Sequence, residues 1–198
     1  MLKKMDGKRL FDIVVSAFGL LLISPLLLLA GLLIRLDSAG PVFFTQTRYG
    51  LGGSLFKLYK FRTMTDKPRK VENEVHLDNP EVTKIGWFLR RFKIDELPQL
   101  WNVLIGDMSI VGPRPGVAEH LENLDEVGKK RLLVRPGLTG LAQINGNIYL
   151  SWPERWRYDA EYVERHTFWL DCWIIWRTVF VVFFGEKPKN NSLNKEEG

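Results

Sequence analysis

An acidic pair, Asp95-Glu96, stands directly behind a stretch that holds Lys84, Arg90, Arg91 and Lys93 and no acid. Two adjacent carboxylates beside cations could take part in catalysis. They suit a structural role equally well. LPQLWNVLIGDM follows with a helical period of Leu97, Leu100, Trp101 and Leu104 and stops at Gly106. Asp95 would serve that helix as N-cap, and Pro98 is tolerated in a first turn whose N–H groups have no intrahelical partner. An Asp-Glu pair there complements the helix dipole without any chemistry, so both roles stay open from these residues alone.

Two further segments place an arginine among prolines and glycines: Gly112-Pro113-Arg114-Pro115 and Arg135-Pro136-Gly137-Leu138-Thr139-Gly140. Stiff backbone on either side limits the freedom lost when a guanidinium is fixed, and its planar fork can grip phosphate oxygens with two N–H groups. Turns with surface arginines are the alternative. Neither segment has the glycine pattern of a Walker A or dinucleotide loop. One cysteine, Cys172, and three scattered histidines, His76, His120 and His166, give no cluster at metal-ligand spacing. That argues against zinc and redox chemistry and leaves hard, oxygen-bound ions.

The elements that must position these groups differ along the chain. VFFTQTRYG and SLFKLYKFRTM flank Gly50, Gly52 and Gly53 and predict a short β-hairpin. Residues 64–82 are polar and without apolar period, which predicts an exposed loop. Residues 84–93 predict an amphipathic basic helix, facing either lipid headgroups or the core. Ser151-Trp152-Pro153-Glu154 has the spacing of a capping box and opens a helix carrying Tyr158 and Tyr162. Over 168–184 the residues Trp169, Trp173, Trp176, Phe180 and Phe183 form one helical stripe, broken in polarity by Asp171 and Arg177. Such a helix lies on a membrane surface or packs on a core.

From Ile13 to Ile34 the chain carries no charge, and as helix this run would reach about 33 Å, enough for a hydrocarbon core. Ser24-Pro25 at its centre predicts a kink. Lys3, Lys4, Lys8 and Arg9 before the run, and Arg35, Arg48, Lys57 and Lys60 after it, put positive charge on both flanks. A re-entrant hairpin and a bent single crossing both satisfy this pattern. The expected division of the 198 residues is a membrane helix at 1–36, a compact domain at 37–185 and a polar, disordered tail at 186–198. The net charge of +5 suits any polyanionic partner, but no nucleic-acid motif is present and the apolar N-terminus argues against one.

KRLFDIVVSAFGLLLISP, KLYKFRTM, DELPQLWNVLIGDMSIVGPRP and RPGLTGLAQING follow one another in the order of a known family. Over about residues 8–180 the chain resembles the monotopic bacterial phosphoglycosyl transferases. The resemblance implies an α/β, mostly helical fold: a re-entrant helix broken at Ser24-Pro25 and a small catalytic domain on the cytoplasmic face of the inner membrane. It further implies a UDP-sugar donor, a polyprenyl (undecaprenyl) phosphate acceptor, lipid contacts and magnesium. Asp95 and Glu96 become the catalytic dyad, with Asp95 ionised as the nucleophile, and the same two carboxylates the metal ligands. Arg114 becomes a phosphate ligand, with Lys60, Arg62, Arg90 and Arg135 as helpers. Self-association is left open. The family usually has arginine where this chain has Asn147, and a smaller amide where it has His166. A membrane-bound scaffold without chemistry is the rival, and it would tolerate Asp95→Asn.

Overall fold

The computed structural model describes residues 2–65 and 79–185, with side chains from residue 7 onward. Helix α1 (Leu2–Asp37) leads into the antiparallel hairpin β1 (Phe43–Tyr49) and β2 (Leu55–Phe61), joined through a 3₁₀ turn at Leu51–Gly53. Helices α2 (Lys84–Arg91) and α3 (Gln99–Ile105) follow, then strands β3 (Ser109–Val111) and β4 (Gly116–Val117). Helix α4 (Glu126–Lys129), strand β5 (Gly137–Thr139) and helices α5 (Leu141–Ile144), α6 (Trp152–Arg165) and α7 (Phe168–Phe184) complete the chain. Strand order is β2-β1-β4 in one sheet, while β3 and β5 pair in parallel. The expected hairpin and capping-box helix are present, and Glu154 accepts from the Ser151 N–H. Most of the expected 64–82 loop and the whole 186–198 tail lie outside the described residues; the loop's ends meet in a Met64–Val82 bridge.

Helical assignment continues through Ser24-Pro25 of α1. Proline has no N–H for the Leu21 carbonyl four residues back, and the Ser24 hydroxyl donates to that carbonyl instead at 2.8 Å. The serine thus fills the gap left by its neighbour, and helical geometry runs on to Asp37.

Both halves of α1 dock on the rest of the chain. Near its start Arg9 donates to the Val103 and Leu104 carbonyls at 2.6 and 2.8 Å, capping α3. Asp12, fully enclosed, accepts from Ser109 Oγ and the Ile110 N–H at 3.0 and 2.9 Å and so ties α1 to β3. Lys8 pairs with Asp171 of α7. Near its end Ala30 and Ile34 pack with Phe61 and Leu89, and Asp37 accepts the Ile85 N–H at 3.1 Å. The main core gathers Leu100 and Val103 of α3, Ile110 and Val111 of β3, Tyr162 of α6 and Ile174 of α7. The outer face of α1, including Leu21, Leu22, Leu28 and Leu36, remains exposed.

Helix α7 packs one face on the core and leaves the other exposed. Ile174 and Asp171 face inward, with Asp171 accepting from Tyr162 Oη at 2.8 Å. Trp169, Trp173, Trp176, Phe180 and Phe183 all lie on the exposed side, Trp169 at 79%. In α2 the split is similar: Leu89 is buried, while Trp87 and Phe88 are half exposed. Arg91 joins the two helices by donating to the Val182 and Phe183 carbonyls of α7.

Candidate active site

The chain between α2 and α3 turns sharply at Lys93, a non-glycine residue held in the left-handed region at φ 56°. Such a conformation costs a lysine about 1–2 kcal/mol. It delivers Ile94–Glu96 as a single 3₁₀ turn ahead of α3. This corrects the capping expectation: Pro98, not Asp95, is the N-cap of α3, and Asp95 caps nothing. Its Oδ1 is buried and has no hydrogen-bond partner.

Strand β2 brings Lys60 to this turn. Asn102 of α3, completely buried, accepts the Tyr59 N–H at 3.1 Å and donates to the Lys57 carbonyl at 2.7 Å. The strand is thereby fixed against the helix that follows the acidic pair. Lys60 Nζ then lies 2.7 Å from Glu96 Oε1.

Arg114 arrives from a loop whose backbone is tightly fitted. A Cβ on Gly137 would strike the Gly112 nitrogen at 2.0 Å, and one on Gly116 would enter the Tyr49 ring at 2.0 Å. Glycine alone permits these approaches. The Arg114 guanidinium forks onto Glu96, with NH2 at 2.6 Å from Oε1 and NH1 at 3.3 Å from Oε2. Arg48 of β1, read from the sequence only as a flanking charge, donates to the Pro115 carbonyl at 3.2 Å. Burial, then Arg114, pushes its pKa down to about 10.

The two carboxylates differ in electrostatic state. Burial opposes ionisation of Glu96, but Arg114 and Lys60 outweigh it and hold that carboxyl well below the usual range. Asp95, 8% exposed, is pushed up to about 6 by burial first and the Glu96 charge second, against the pull of Lys60, Arg90 and Lys93. Asp95 is therefore still mostly ionised at neutral pH, with a narrower margin than an exposed carboxylate. Its buried position, not its place in the helix, controls its charge.

The remaining expected helpers go different ways. Arg90 lies near Asp95 and donates Nε to Thr63 Oγ1 at 2.7 Å. Arg62, buried, donates to the Ser38 and Ala39 carbonyls at 2.7 Å each and closes the end of α1. Arg135 donates Nε to the Gly106 carbonyl at 2.9 Å, at the far end of α3 from the acidic pair. Asn147 is buried with φ 43°. Among the described residues no group of three or more His, Cys, Asp or Glu side chains could hold a metal.

Residues 3–185 match the family described as bacterial sugar transferase. An uncharacterized sugar transferase, EpsL of Bacillus subtilis (strain 168), is 45% identical over 179 residues, 90% of this chain and 88% of its own. The exopolysaccharide production protein ExoY of Rhizobium meliloti (strain 1021) is 39% identical over 189 residues, 87% of this chain and 84% of its own. A UDP-glucose:undecaprenyl-phosphate glucose-1-phosphate transferase of Escherichia coli (strain K12) is 44% identical over 185 residues, covering 89% of this chain but 40% of that longer protein. With nearly its whole described length matched, and the acidic pair, Lys60 and the Arg114 loop converging on one site, the chain belongs to the bacterial sugar transferases, a family of enzymes.

Proposed function

We propose that this enzyme transfers a phosphosugar from a UDP-sugar to undecaprenyl phosphate, releasing UMP through an aspartyl-phosphosugar intermediate. The donor and acceptor classes follow the names of the Escherichia coli and other relatives. The observation that carries the reading is the unequal pair: Glu96 is committed to Lys60 and Arg114, while Asp95 keeps an oxygen without a partner.

An Asp95 carboxylate oxygen attacks the sugar-bearing β-phosphorus. The bond from that phosphorus to the bridging oxygen breaks, and its electron pair leaves with UMP. A phosphate oxygen of the polyprenyl acceptor then attacks the same phosphorus, expels the Asp95 carboxylate and yields the polyprenyl diphosphosugar. Lys60 and Arg114 offset the negative charge that gathers in both transfers.

Magnesium fits the donor set. Hard carboxylates are present, an oxygen of Asp95 is buried without a partner, and two carboxylates are what Mg²⁺ takes from a protein when substrate phosphates complete its shell. Asp95 and Glu96 would hold it, and it would supply neutralisation of the diphosphate. Membership in an enzyme family leaves no place for the non-catalytic scaffold.

The cytoplasmic face of the inner membrane is the proposed location, with α1 entering and leaving on one side. Arg9 and Asp37 lie 28 residues apart along α1, about 42 Å of helical rise, yet both are hydrogen-bonded to one folded domain. A single crossing would have to carry one of these contacts to the opposite surface. The exposed aromatic faces of α7 and α2 would rest among lipid headgroups.

Incubation with labelled UDP-sugar and magnesium, without acceptor, tests the chemistry. UMP should appear in at most stoichiometric amount, with label on the peptide containing Ile94-Asp95-Glu96, and Asp95→Asn should lose both. A reaction that runs with acceptor but gives no adduct after a rapid quench would replace this scheme by direct attack of the lipid phosphate.

A further inference from the structure

We infer that Arg131, held by Asp159, is the positioning residue that aims the Arg114 fork. Arg131 lies in a 3₁₀ turn at Lys130–Leu133 and Asp159 in α6, both distant in sequence from the acidic pair. Arg131 is 6% exposed and Asp159 2%, and NH2 of the arginine lies 3.2 Å from Asp159 Oδ2. A buried ion pair seldom stabilises a fold beyond what apolar side chains of like volume would give. What this one offers is direction.

The remaining N–H groups of Arg131 show where it points. NH1 donates to Tyr49 Oη at 2.9 Å, and NH2 donates to the main-chain carbonyl of Arg114 itself. Gly116, two residues on, leans against the ring of that same Tyr49. Arg48 secures the next carbonyl, that of Pro115. The loop is therefore pinned at two successive carbonyls by two arginines and seated on one aromatic ring. Only the Arg114 side chain is left to project, and it reaches Glu96. Its side chain is 37% exposed, so a fixed backbone beneath adds to the aim that Glu96 gives. Pre-setting the backbone lowers the freedom that must be lost when the fork meets phosphate.

This inference rests on the proposed function, in which Arg114 meets the donor diphosphate, and a double-mutant cycle separates the two. Full-length enzyme would be assayed with UDP-sugar, undecaprenyl phosphate and magnesium as wild type, Arg131→Lys, Arg114→Ala and the double variant, each melted in parallel. Arg131→Lys keeps the charge for Asp159 but loses the fork. It should lower kcat/KM for the donor ~10-fold in the wild-type background and less than ~2-fold in Arg114→Ala, with acceptor KM unchanged. A purely structural arginine would cost the same factor in both backgrounds, and that result overturns the inference. Wild-type activity in Arg114→Ala would instead overturn the functional reading. Should Arg131→Lys not fold, Tyr49→Phe, which removes one acceptor and keeps the ring, enters the same cycle. Its loss of ~3-fold should likewise vanish in Arg114→Ala, and an equal loss in both backgrounds overturns the inference.

Discussion

Arg114 NH2 lies 2.6 Å from Glu96 Oε1 and NH1 3.3 Å from Oε2, so a fork suited to phosphate rests on a carboxylate. Lys60 meets the same Oε1. Glu96 thus neutralises two cations that the incoming diphosphate would otherwise claim from solvent. A donor phosphate can share these two cations with Glu96, whereas displacing both would leave that buried carboxylate without a counterion.

Arg114→Ala should lower turnover at least ~10-fold, since a charge-assisted contact is worth about 1.5–3 kcal/mol. Arg114→Lys should restore part of it, as a point charge replaces the fork. Steady-state kinetics with matched thermal melts decide the matter; wild-type turnover in a folded Arg114→Ala protein would reduce the loop to a surface turn.

Asp95→Asn should make the metal-free enzyme more stable at pH 8 while removing activity. Asp95 has a folded pKa pushed up to about 6 from 3.8. Between about pH 4 and 6 the folded state keeps a proton that the unfolded chain has released. The carboxyl's contribution to stability therefore falls as pH rises through that window, and the full penalty is present above it. Asparagine carries no such penalty. The melting temperature of the variant should exceed wild type by roughly 2–6 °C at pH 8, with the gap closing toward pH 4.5. A constant gap across that range would mean that burial of charge is not the cause.

Much of this site was legible because its elements are local: a glycine turn between alternating strands, an apolar period ending at Gly106, proline-flanked arginines. What the sequence hides is which partner a buried cation meets. Arg62 and Arg135 look as suitable for phosphate as Arg114, yet their donors go to the carbonyls at the ends of α1 and α3. Helix C-termini present unsatisfied carbonyls, and which arginine reaches them depends on contacts distant in sequence. Asp95 was misplaced for a related reason. The left-handed Lys93 inserts a 3₁₀ turn before α3, and no local signal marks a lysine for that conformation. Arg48, read only as a flanking charge, and Arg131 were not picked out for the site because each acts on the backbone of another segment, 67 and 17 residues away.

Replacing Trp169 and Trp176 together by serine should weaken membrane retention without loss of fold. Both side chains lie mostly in the open, so the domain core does not depend on them. In an apolar interface each would contribute through its burial there. The variant should leave washed membranes at lower salt or detergent than wild type, with an unchanged melting temperature in detergent. Equal retention would mean that α1 alone holds the enzyme to lipid.

The path of α1 is open to a direct test. In a Cys172→Ser background, single cysteines at Gly7 and Glu122 report on the start of α1 and on the catalytic domain; both positions are exposed. With both ends of α1 on one side, neither cysteine should react with an impermeant thiol reagent in intact cells, and both should react after permeabilisation. The physical basis is the pair of anchors already described. Arg9 caps α3 and Asp37 meets the first turn of α2, so both helix ends are held by one domain. A spanning helix would have to break the Arg9 contacts, the Asp12 contacts to β3 and the Lys8–Asp171 pair to carry residue 7 across. Each break leaves a charged group in or near hydrocarbon without its partner. Labelling at residue 7 but not at 122 in intact cells would show that the chain accepts those losses, and that α1 crosses the bilayer once.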